Sequence, residues 1–559
     1  MFSLPRSIAQ PTGTPAKRPN FVFIITDDQD LHLNSIDYMP KLNQYIGAEG
    51  TFFKKHFCTI AICCPSRVSL LTGRMAHNTN VTDVNPPYGG YSKFISQDLN
   101  DKYLPVWLQE GGYNTFYTGK LFNGHNITNY NSPYPGGWTG HDFLLEPGTY
   151  RYWNATLGHD EDPPMSYPGE YNTDLVTERA LTLLDRASQD DRPFFLGIAP
   201  IAPHFALSNG TLDPPEPASR HSHLFPDAQV PRTNNFNPSE KSGVSWVSTL
   251  PQQNGSQVQY NDEFYRLRLQ ALQAVDEMIE SVVNKLDSYG ILDNTYIIYT
   301  SDNGFHIGQH RLPPGKTCAF EEDINVPFYI RGPGIAKGEV TDSVTSHTDI
   351  APTLFQLAGI RLRDEFDGSP MPIQISEAET QPHASEHVAV EYWGLGVGEG
   401  KYAAAAVNGL AQPNNTYKAI RVIGTDYNIF YSVWCTNEHE LYNMTVDPGQ
   451  MVNLATDASN SAGMIIGREV EDVQERLDAL LFVLKTCKAD QCRFPWEQLH
   501  PSWHGSSRMT LRNALDPQYD EFYSALPKVE FTECMMGQIL EAEGPQWVGE
   551  MGHYWPAWT

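Results

Sequence analysis

Two short apolar runs, each closed by carboxylates, constrain the fold of this 559-residue chain more than any other feature. Phe21-Val22-Phe23-Ile24-Ile25-Thr26 runs into Asp27-Asp28, and Tyr296-Ile297-Ile298-Tyr299-Thr300 runs into Ser301-Asp302-Asn303-Gly304. Runs of this length without polar alternation read as buried strands. Between Phe21 and about Ile360 such strands alternate with helical segments, which predicts α/β architecture with a largely parallel sheet. An open α/β sheet places its site off the C-terminal ends of its strands, where both acidic clusters fall. Asp27, Asp28, Asp302 and Asn303 offer only oxygen atoms. Such a set suits a hard cation, Ca²⁺ first and Mg²⁺ second, rather than zinc.

A third run lies between them: Cys63-Cys64-Pro65-Ser66-Arg67-Val68-Ser69-Leu70-Leu71-Thr72-Gly73-Arg74. Proline costs nothing in the first turn of a helix, so residues 66–71 read as helix, ending near Gly73. Cys63 then stands at a helix N-terminus, where free N–H groups and the dipole favour an anion. Arg67, one turn on, can face the same spot. C-x-P-S-R followed by L-T-G-R resembles the signature of type I sulfatases, whose first cysteine is converted to formylglycine. Gly112-Tyr113-Asn114-Thr115 with Gly119-Lys120 resembles the second sulfatase signature, whose lysine contacts the sulfate. Ala202-Pro203-His204, after the predicted strand 194–198, resembles the Pro-His that carries the leaving-group histidine. Lys316, downstream of Asp302-Asn303-Gly304-Phe305-His306, resembles the second sulfate lysine.

The resemblance covers roughly residues 18–486. It implies an alkaline-phosphatase-like α/β sandwich with a smaller C-terminal antiparallel sheet. It also implies Ca²⁺ held by Asp27, Asp28, Asp302, Asn303 and the formylglycine oxygen at 63, and a maturation step by a formylglycine-generating enzyme. In that scheme the hydrated aldehyde attacks sulfur, and Arg67, Lys120 and Lys316 hold the developing charge. His204 protonates the leaving oxygen. The second hydroxyl then expels sulfate and restores the aldehyde.

One departure stands out. Many sulfatases read Gly-Lys-Trp-His, whereas this chain reads Gly119-Lys120-Leu121-Phe122-Asn123-Gly124-His125, with Phe122 in the histidine's place. That form resembles the subgroup of glucosamine-6-sulfatases, heparan endosulfatases, and algal and fungal arylsulfatases. Asn123 and His125 are the candidates for the missing role, and His306 and His310 are further candidates for the site wall. Trp138, Tyr150, Tyr152, Trp153 and Trp246 lie in irregular segments and would suit an aryl group. The expected reaction is hydrolysis of a small sulfate ester, arylsulfatase-like. An N-acetylglucosamine-6-sulfatase-like activity is the nearest alternative. Phosphonate or phosphate ester hydrolysis on the same scaffold, and a catalytically dead binding protein, are the rivals.

Charge narrows the partners. Thirty-eight basic against 66 acidic residues give a net −28, which argues against nucleic acid and anionic membranes. It also argues, more weakly, against a long polyanionic substrate, for which no basic run exists. No apolar stretch is long enough to span a bilayer. Residues 1–20 lack the apolar core of a signal peptide, yet seven Asn-x-Ser/Thr sequons occur, at Asn80, Asn126, Asn154, Asn209, Asn254, Asn414 and Asn443. The sequons favour a secreted chain. If Cys63 is converted, seven cysteines remain and at least one stays unpaired, with Cys64 the candidate. Cys435, Cys487, Cys492 and Cys534 are expected in disulfides whose pairing stays open. The expected division is a flexible 1–17, a catalytic domain 18–380, a sheet-and-helix subdomain 381–486 and a packed extension 487–559. Helices are expected at 262–289 and 463–486, with a long loop region at 205–258.

Overall fold

The structure, a computed structural model, describes residues 17–208, 210–373, 385–403, 411–455, 463–505, 508–547 and 554–555. Residues 1–16 of the expected flexible N-terminus 1–17, the expected boundary at 380/381 and the sequon Asn209 lie outside the described residues.

A ten-stranded sheet forms the body. Its middle is parallel: Thr295–Ser301, Asn20–Thr26, Phe194–Ala199, Asn114–Gly119 and Gly140–Leu144 lie side by side in that order. Its flanks are not. Phe328–Arg331 pairs antiparallel with Thr295–Ser301, and Trp153–His159 and Met165–Tyr171 add an antiparallel edge on the other side. The edge strand Met165–Tyr171 is mostly exposed and carries Pro168, as an edge tolerates and a central strand does not.

Alternation along the central strand builds two apolar layers. Phe21, Phe23 and Ile25 face Val68, Leu71, Trp107 and Leu354 on one side. Val22 and Ile24 face Leu183, Val275, Met278 and Val282 on the other. Each such fully buried side chain contributes roughly 1.5–3 kcal/mol. The result is the alkaline-phosphatase-like sandwich, a sheet between helices.

The long helix on the second face runs Gly255–Ser288, beginning earlier than its apolar periodicity indicates. Asn254 Oδ1 accepts from the backbone N–H of Ser256 and Gln257, and Gln257 Oε1 accepts from the N–H of Asn254. That capping box overrides the weak helix formers Gly255 and Ser256. Among the described residues, segment 205–258 carries only the hairpin Ala206–Ser208/Thr211–Asp213 and the turn Val247–Thr249 before the helix.

The C-terminal part is a four-stranded antiparallel sheet of His387–Tyr392, Tyr417–Ile423, Asn428–Trp434 and His439–Asn443. The helix packed on it is Val470–Leu484, shorter than expected. Ile466 and Gly467 both adopt positive φ (57° and 79°) and turn the chain into the hairpin Met464–Ile465/Arg468–Glu469, which a helix cannot pass through. The tail joins the same apolar cluster through Trp496, Leu511, Tyr523 and Trp547. Disulfides link Cys435 to Cys534 and Cys487 to Cys492. Cys58, Cys63, Cys64 and Cys318 are unpaired and buried. No helix among the described residues is long and apolar enough to cross a membrane.

A buried ion cluster fastens the C-terminal sheet to the short helix Ala76–Thr79. Glu391 Oε2 lies 2.9 Å from His77 Nδ1 and 2.9 Å from Lys418 Nζ, and Glu391 Oε1 accepts from the His77 backbone N–H at 2.9 Å. His77 Nε2 faces the Cys487 carbonyl at 2.8 Å. Both ring nitrogens therefore face acceptors, which requires the doubly protonated imidazolium.

Candidate active site

The sheet order brings the two acidic clusters together. Asn20–Thr26 and Thr295–Ser301 are parallel neighbours with Thr26 opposite Ser301, so Asp27-Asp28 and Asp302-Asn303 leave the sheet side by side. Asp28 adopts φ 66°, a left-handed conformation held by its neighbours. Its N–H donates to Asp302 Oδ1 at 3.0 Å, and its carbonyl accepts from Arg268.

Over these carboxylates stands the helix Cys63–Thr72, which starts at Cys63 and closes on Gly73 in the left-handed region (φ 64°). A side chain at 73 would run into the Phe366 ring at 2.6 Å. Cys63 Sγ lies 3.4 Å from Asp27 Oδ1 and 3.8 Å from Asp28 Oδ1, and accepts from Lys316 Nζ at 3.0 Å. One turn on, Arg67 Nε donates to Asp302 Oδ2 at 2.8 Å and Nη1 to the Lys120 carbonyl at 2.6 Å. Lys120 Nζ spans both oxygens of Asp27 at 2.9 and 2.7 Å. Lys316 Nζ also holds Asp28 Oδ1. Three carboxylates thus face three cations, all but excluded from solvent.

Burial sets the electrostatics. It pushes the Asp27 carboxyl up to about 7 against the pull of Lys120. For Asp28 and Asp302 burial loses to their cations, Lys316 and Arg67 first, and both are held below the usual carboxylate range. Burial opposes charge on Lys120 and Lys316 too, but Asp27 and Asp28 hold them well above the ordinary lysine value. Burial pushes the Cys63 thiol far up, so as a cysteine it is a poor nucleophile.

His204 follows the strand Phe194–Ala199. Its Nε2 lies 3.6 Å from Asp28 Oδ2, and its Nδ1 faces the Phe205 carbonyl at 3.0 Å. Burial holds the imidazole well below its usual value. Tyr150 stacks on it with centroids 4.5 Å apart and presents its face to Lys120 Nζ at 4.8 Å.

Asp28 Oδ2 and Asn303 Oδ1 are buried without a hydrogen-bond partner among the described residues. Asp27, Asp28, Cys63 and His204 bring ligand atoms within 4.8 Å of one another. Orphaned oxygens in such a cluster fit a hard divalent cation.

The other candidates fall differently. Asn123 reaches the cluster at second hand, donating to the Tyr150 hydroxyl at 2.7 Å. His125 is not brought to the cluster: it packs against Tyr91 (4.4 Å) and Phe143 (5.4 Å), where burial pushes it down to about 3. Phe122 packs on Phe94 in the core. His306 Nδ1 pairs with Asp323 at 2.8 Å, beside Gly315. His310 bonds Ser242 and stacks on Phe320 at 3.8 Å, an anchor for the loop region. Of the five aromatics, Tyr150 and Tyr152 touch His204. Trp138 and Trp153 pack on Tyr117 and Tyr171, and Trp246 bonds Asn415.

Two charged residues escaped the sequence reading. Arg268, on the buried face of the long helix, holds the carbonyls of Asp28 and Pro203. A lone arginine in an apolar helical stripe was the available signal. Glu399 lies in the glycine-rich run Gly394-Leu395-Gly396-Val397-Gly398-Glu399-Gly400, whose composition is its only mark.

A helix N-terminus set over clustered carboxylates and lysines, at the C-terminal ends of parallel strands, defines a hydrolase of anionic esters on an alkaline-phosphatase-like scaffold. The Sulfatase family model matches residues 19–360. An arylsulfatase of Volvox carteri is 38% identical over 551 residues, 93% of this chain and 82% of that protein. The N-acetylglucosamine-6-sulfatase of Homo sapiens is 32% identical over 502 residues, 86% of each. A solved protein in complex with its substrate D-glucosamine-2-N,6-O-disulfate shares the fold, with TM-score 0.67 and 22% identity over 84% of this chain and 98% of that one. The chain belongs to the sulfatase family, and its reaction is hydrolysis of sulfate esters. Sulfatases of this family generally use formylglycine and a divalent metal.

Proposed function

We propose that the protein hydrolyses small sulfate monoesters, aryl esters among them, with residue 63 as nucleophile after conversion to formylglycine. The observation that carries this reading is the convergence of Lys316 Nζ (3.0 Å) and Asp27 Oδ1 (3.4 Å) on the side chain of Cys63 at a helix N-terminus. Asp27, Asp28, Asp302 and Asn303 would hold Ca²⁺, with Mg²⁺ second. Once present, the hydrated aldehyde supplies the attacking oxygen, and the ion lowers its pKa and offsets charge on the sulfate oxygens.

The chain's own groups do the rest. Lys120 and Lys316 are fixed donors for the sulfate oxygens, already desolvated and so not reorganised during reaction. Arg67 holds Asp302 in place and adds positive charge beneath position 63. His204 Nε2 serves the leaving oxygen, since its Nδ1 is tied to the Phe205 carbonyl. The free imidazole is neutral, and an anionic ester bound beside it favours its proton. Tyr150 and Asn123 hold His204 and Lys120 in register rather than touching the ester.

Conversion of Cys63 calls for a formylglycine-generating enzyme, and the two disulfides and the sequons favour maturation in the secretory pathway. The test is release of nitrophenol from 4-nitrophenyl sulfate, with Cys63→Ala alongside and the mass of the residue-63 peptide measured. Turnover that vanishes in the variant, with formylglycine at 63, is the expected result. Faster turnover of the matched phosphate ester would move the assignment to phosphorus esters. An intact cysteine at 63 in active protein would refute the nucleophile.

A further inference from the structure

One buried carboxylate beside the cluster has no task in the scheme above. Glu399 follows the strand Gly396–Gly398, which pairs antiparallel with Gly315–Lys316, Gly398 opposite Gly315 and Val397 opposite Lys316. The Glu399 N–H continues the pairing to the Pro314 carbonyl at 2.7 Å. Side chains alternate along a strand, so Glu399 shares the face of Lys316 as its diagonal neighbour, roughly 7–8 Å away. The next residue, Gly400, bonds the Leu212 carbonyl at 2.9 Å, in the hairpin that follows His204. Glu399 therefore sits between the strand of Lys316 and the hairpin after His204.

Its side chain is 2% exposed, and Oε2 has no hydrogen-bond partner among the described residues. Other buried carboxylates of this protein are engaged through at least one oxygen: Glu391 by His77 and Lys418, Glu440 by Ser432, Trp434 and Tyr442, while Asp142, Glu322 and Glu543 leave one oxygen unpartnered but bond His159, Asn235 and Trp393 through the other. A buried acid serving the fold alone is expected to be paired in this way. Glu399 instead feels the charges of Asp28, Lys316, Arg268 and Asp27. Burial, and after it Asp28, push its carboxyl up to about 8 against the pull of Lys316.

We propose that Glu399 accepts a hydrogen bond from a hydroxyl or amide N–H on the alcohol half of the ester, so that the preferred substrate is a sugar sulfate. This rests on the sulfatase reading above. A phenol ring offers no donor there, whereas a sugar carries several close to the sulfated carbon. Lys120, Lys316 and His204 take the sulfate end, and Glu399, beside Lys316, takes the ring.

The test compares kcat/KM for N-acetylglucosamine 6-sulfate and cyclohexylmethyl sulfate, which keeps a primary sulfate on a six-membered ring without hydroxyls. The expected ratio is about tenfold or more in favour of the sugar in the wild type. It falls towards one in Glu399→Ala and in Glu399→Met, a side chain of similar size with no acceptor oxygen. A ratio taken within one preparation cancels any loss of folded enzyme. A wild-type ratio near one, or a ratio unchanged in both variants, overturns the proposal. So does wild-type turnover of 4-nitrophenyl sulfate with none of the sugar ester, an outcome that leaves the sulfatase reading standing. Turnover of none of the three esters removes that reading, and this inference with it.

Discussion

The cluster of Glu391, His77 and Lys418 gives this protein a pH optimum of stability that can be worked out in advance. Burial alone would raise the Glu391 carboxyl, but His77 and Lys418 hold it down to about 2. Against the ordinary 4.5, that is worth roughly 3 kcal/mol. An acid with a depressed folded value contributes above its unfolded value, so this stability is complete above about pH 4.5 and drains away as pH falls towards 2. His77 has the opposite sign. Burial disfavours its charge, but Glu391 wins and raises it above 6.5, so its contribution is complete below about 6.5 and is lost as pH rises through the raised value. The cluster is therefore strongest between about pH 4.5 and 6.5. Glu391→Gln keeps the volume and removes the charge, leaving His77 and the buried Lys418 short of a partner, a loss of about 3–5 kcal/mol. Urea unfolding followed by tryptophan fluorescence, run on both proteins near pH 3, 5.5 and 8, is the assay. The stability difference should be largest near 5.5 and smaller on either side. A difference that is the same at all three values would refute the electrostatic account and leave packing as the cause.

Other predictions concern the metal and the disulfides. Chelation with EDTA should abolish turnover and lower the midpoint of thermal unfolding, because Asp28 Oδ2 and Asn303 Oδ1 lose their partner, and Ca²⁺ should restore both better than Mg²⁺; full activity after exhaustive chelation would rule the metal out. The Cys435–Cys534 bridge closes a loop of sequence separation 99, for which chain entropy predicts about 4–5 kcal/mol. The double serine variant should open the tail to proteolysis before the main sheet unfolds, while breaking Cys487–Cys492, a separation of 5, should do far less. Limited trypsin digestion followed by mass analysis distinguishes the two.

What the sequence disclosed was local. The run from Phe21 to Ile25 has no polar residue on either face, so its burial between two layers is written in its composition. Pro65 and Gly73 bracket the helix over the cluster by their backbone requirements alone. The residues that escaped are those whose meaning lies in a partner far along the chain. Glu391 is one glutamate among many until His77 and Lys418 are folded against it, and Arg268 is a flaw in an apolar stripe until the carbonyl of Asp28 arrives. The start of the long helix was missed for a different reason: two poor helix formers stand between the cap at Asn254 and its answer at Gln257. Strand order was out of reach as well. Nothing in Met165–Tyr171 announces that it pairs antiparallel with Trp153–His159, whereas its exposure and proline do mark it as an edge. At the site, Asn123 and His125 are two positions apart in sequence, yet one leans on Tyr150 and the other lies sealed beneath Tyr91.

The depth of residue 63 also bears on when the proposed conversion could take place. Cys63 is 2% exposed, inside a helix that is buried along its whole length. If residue 63 is converted as proposed, the modifying enzyme would have to reach it while the chain is still open. Closure of the molecule depends on the other end: Trp393 Nε1 donates to Glu543 Oε1 at 2.6 Å, Lys485 Nζ to the Glu543 carbonyl, and Lys418 Nζ lies 3.5 Å from Glu543 Oε2. Until Glu543 leaves the ribosome, Trp393 and Lys485 lack this partner, and Lys418 has only Glu391. On the maturation proposed above, the time taken to translate the stretch from 63 to 543 would be the interval open to the modifying enzyme, and chains that fold ahead of it would keep an inert thiol.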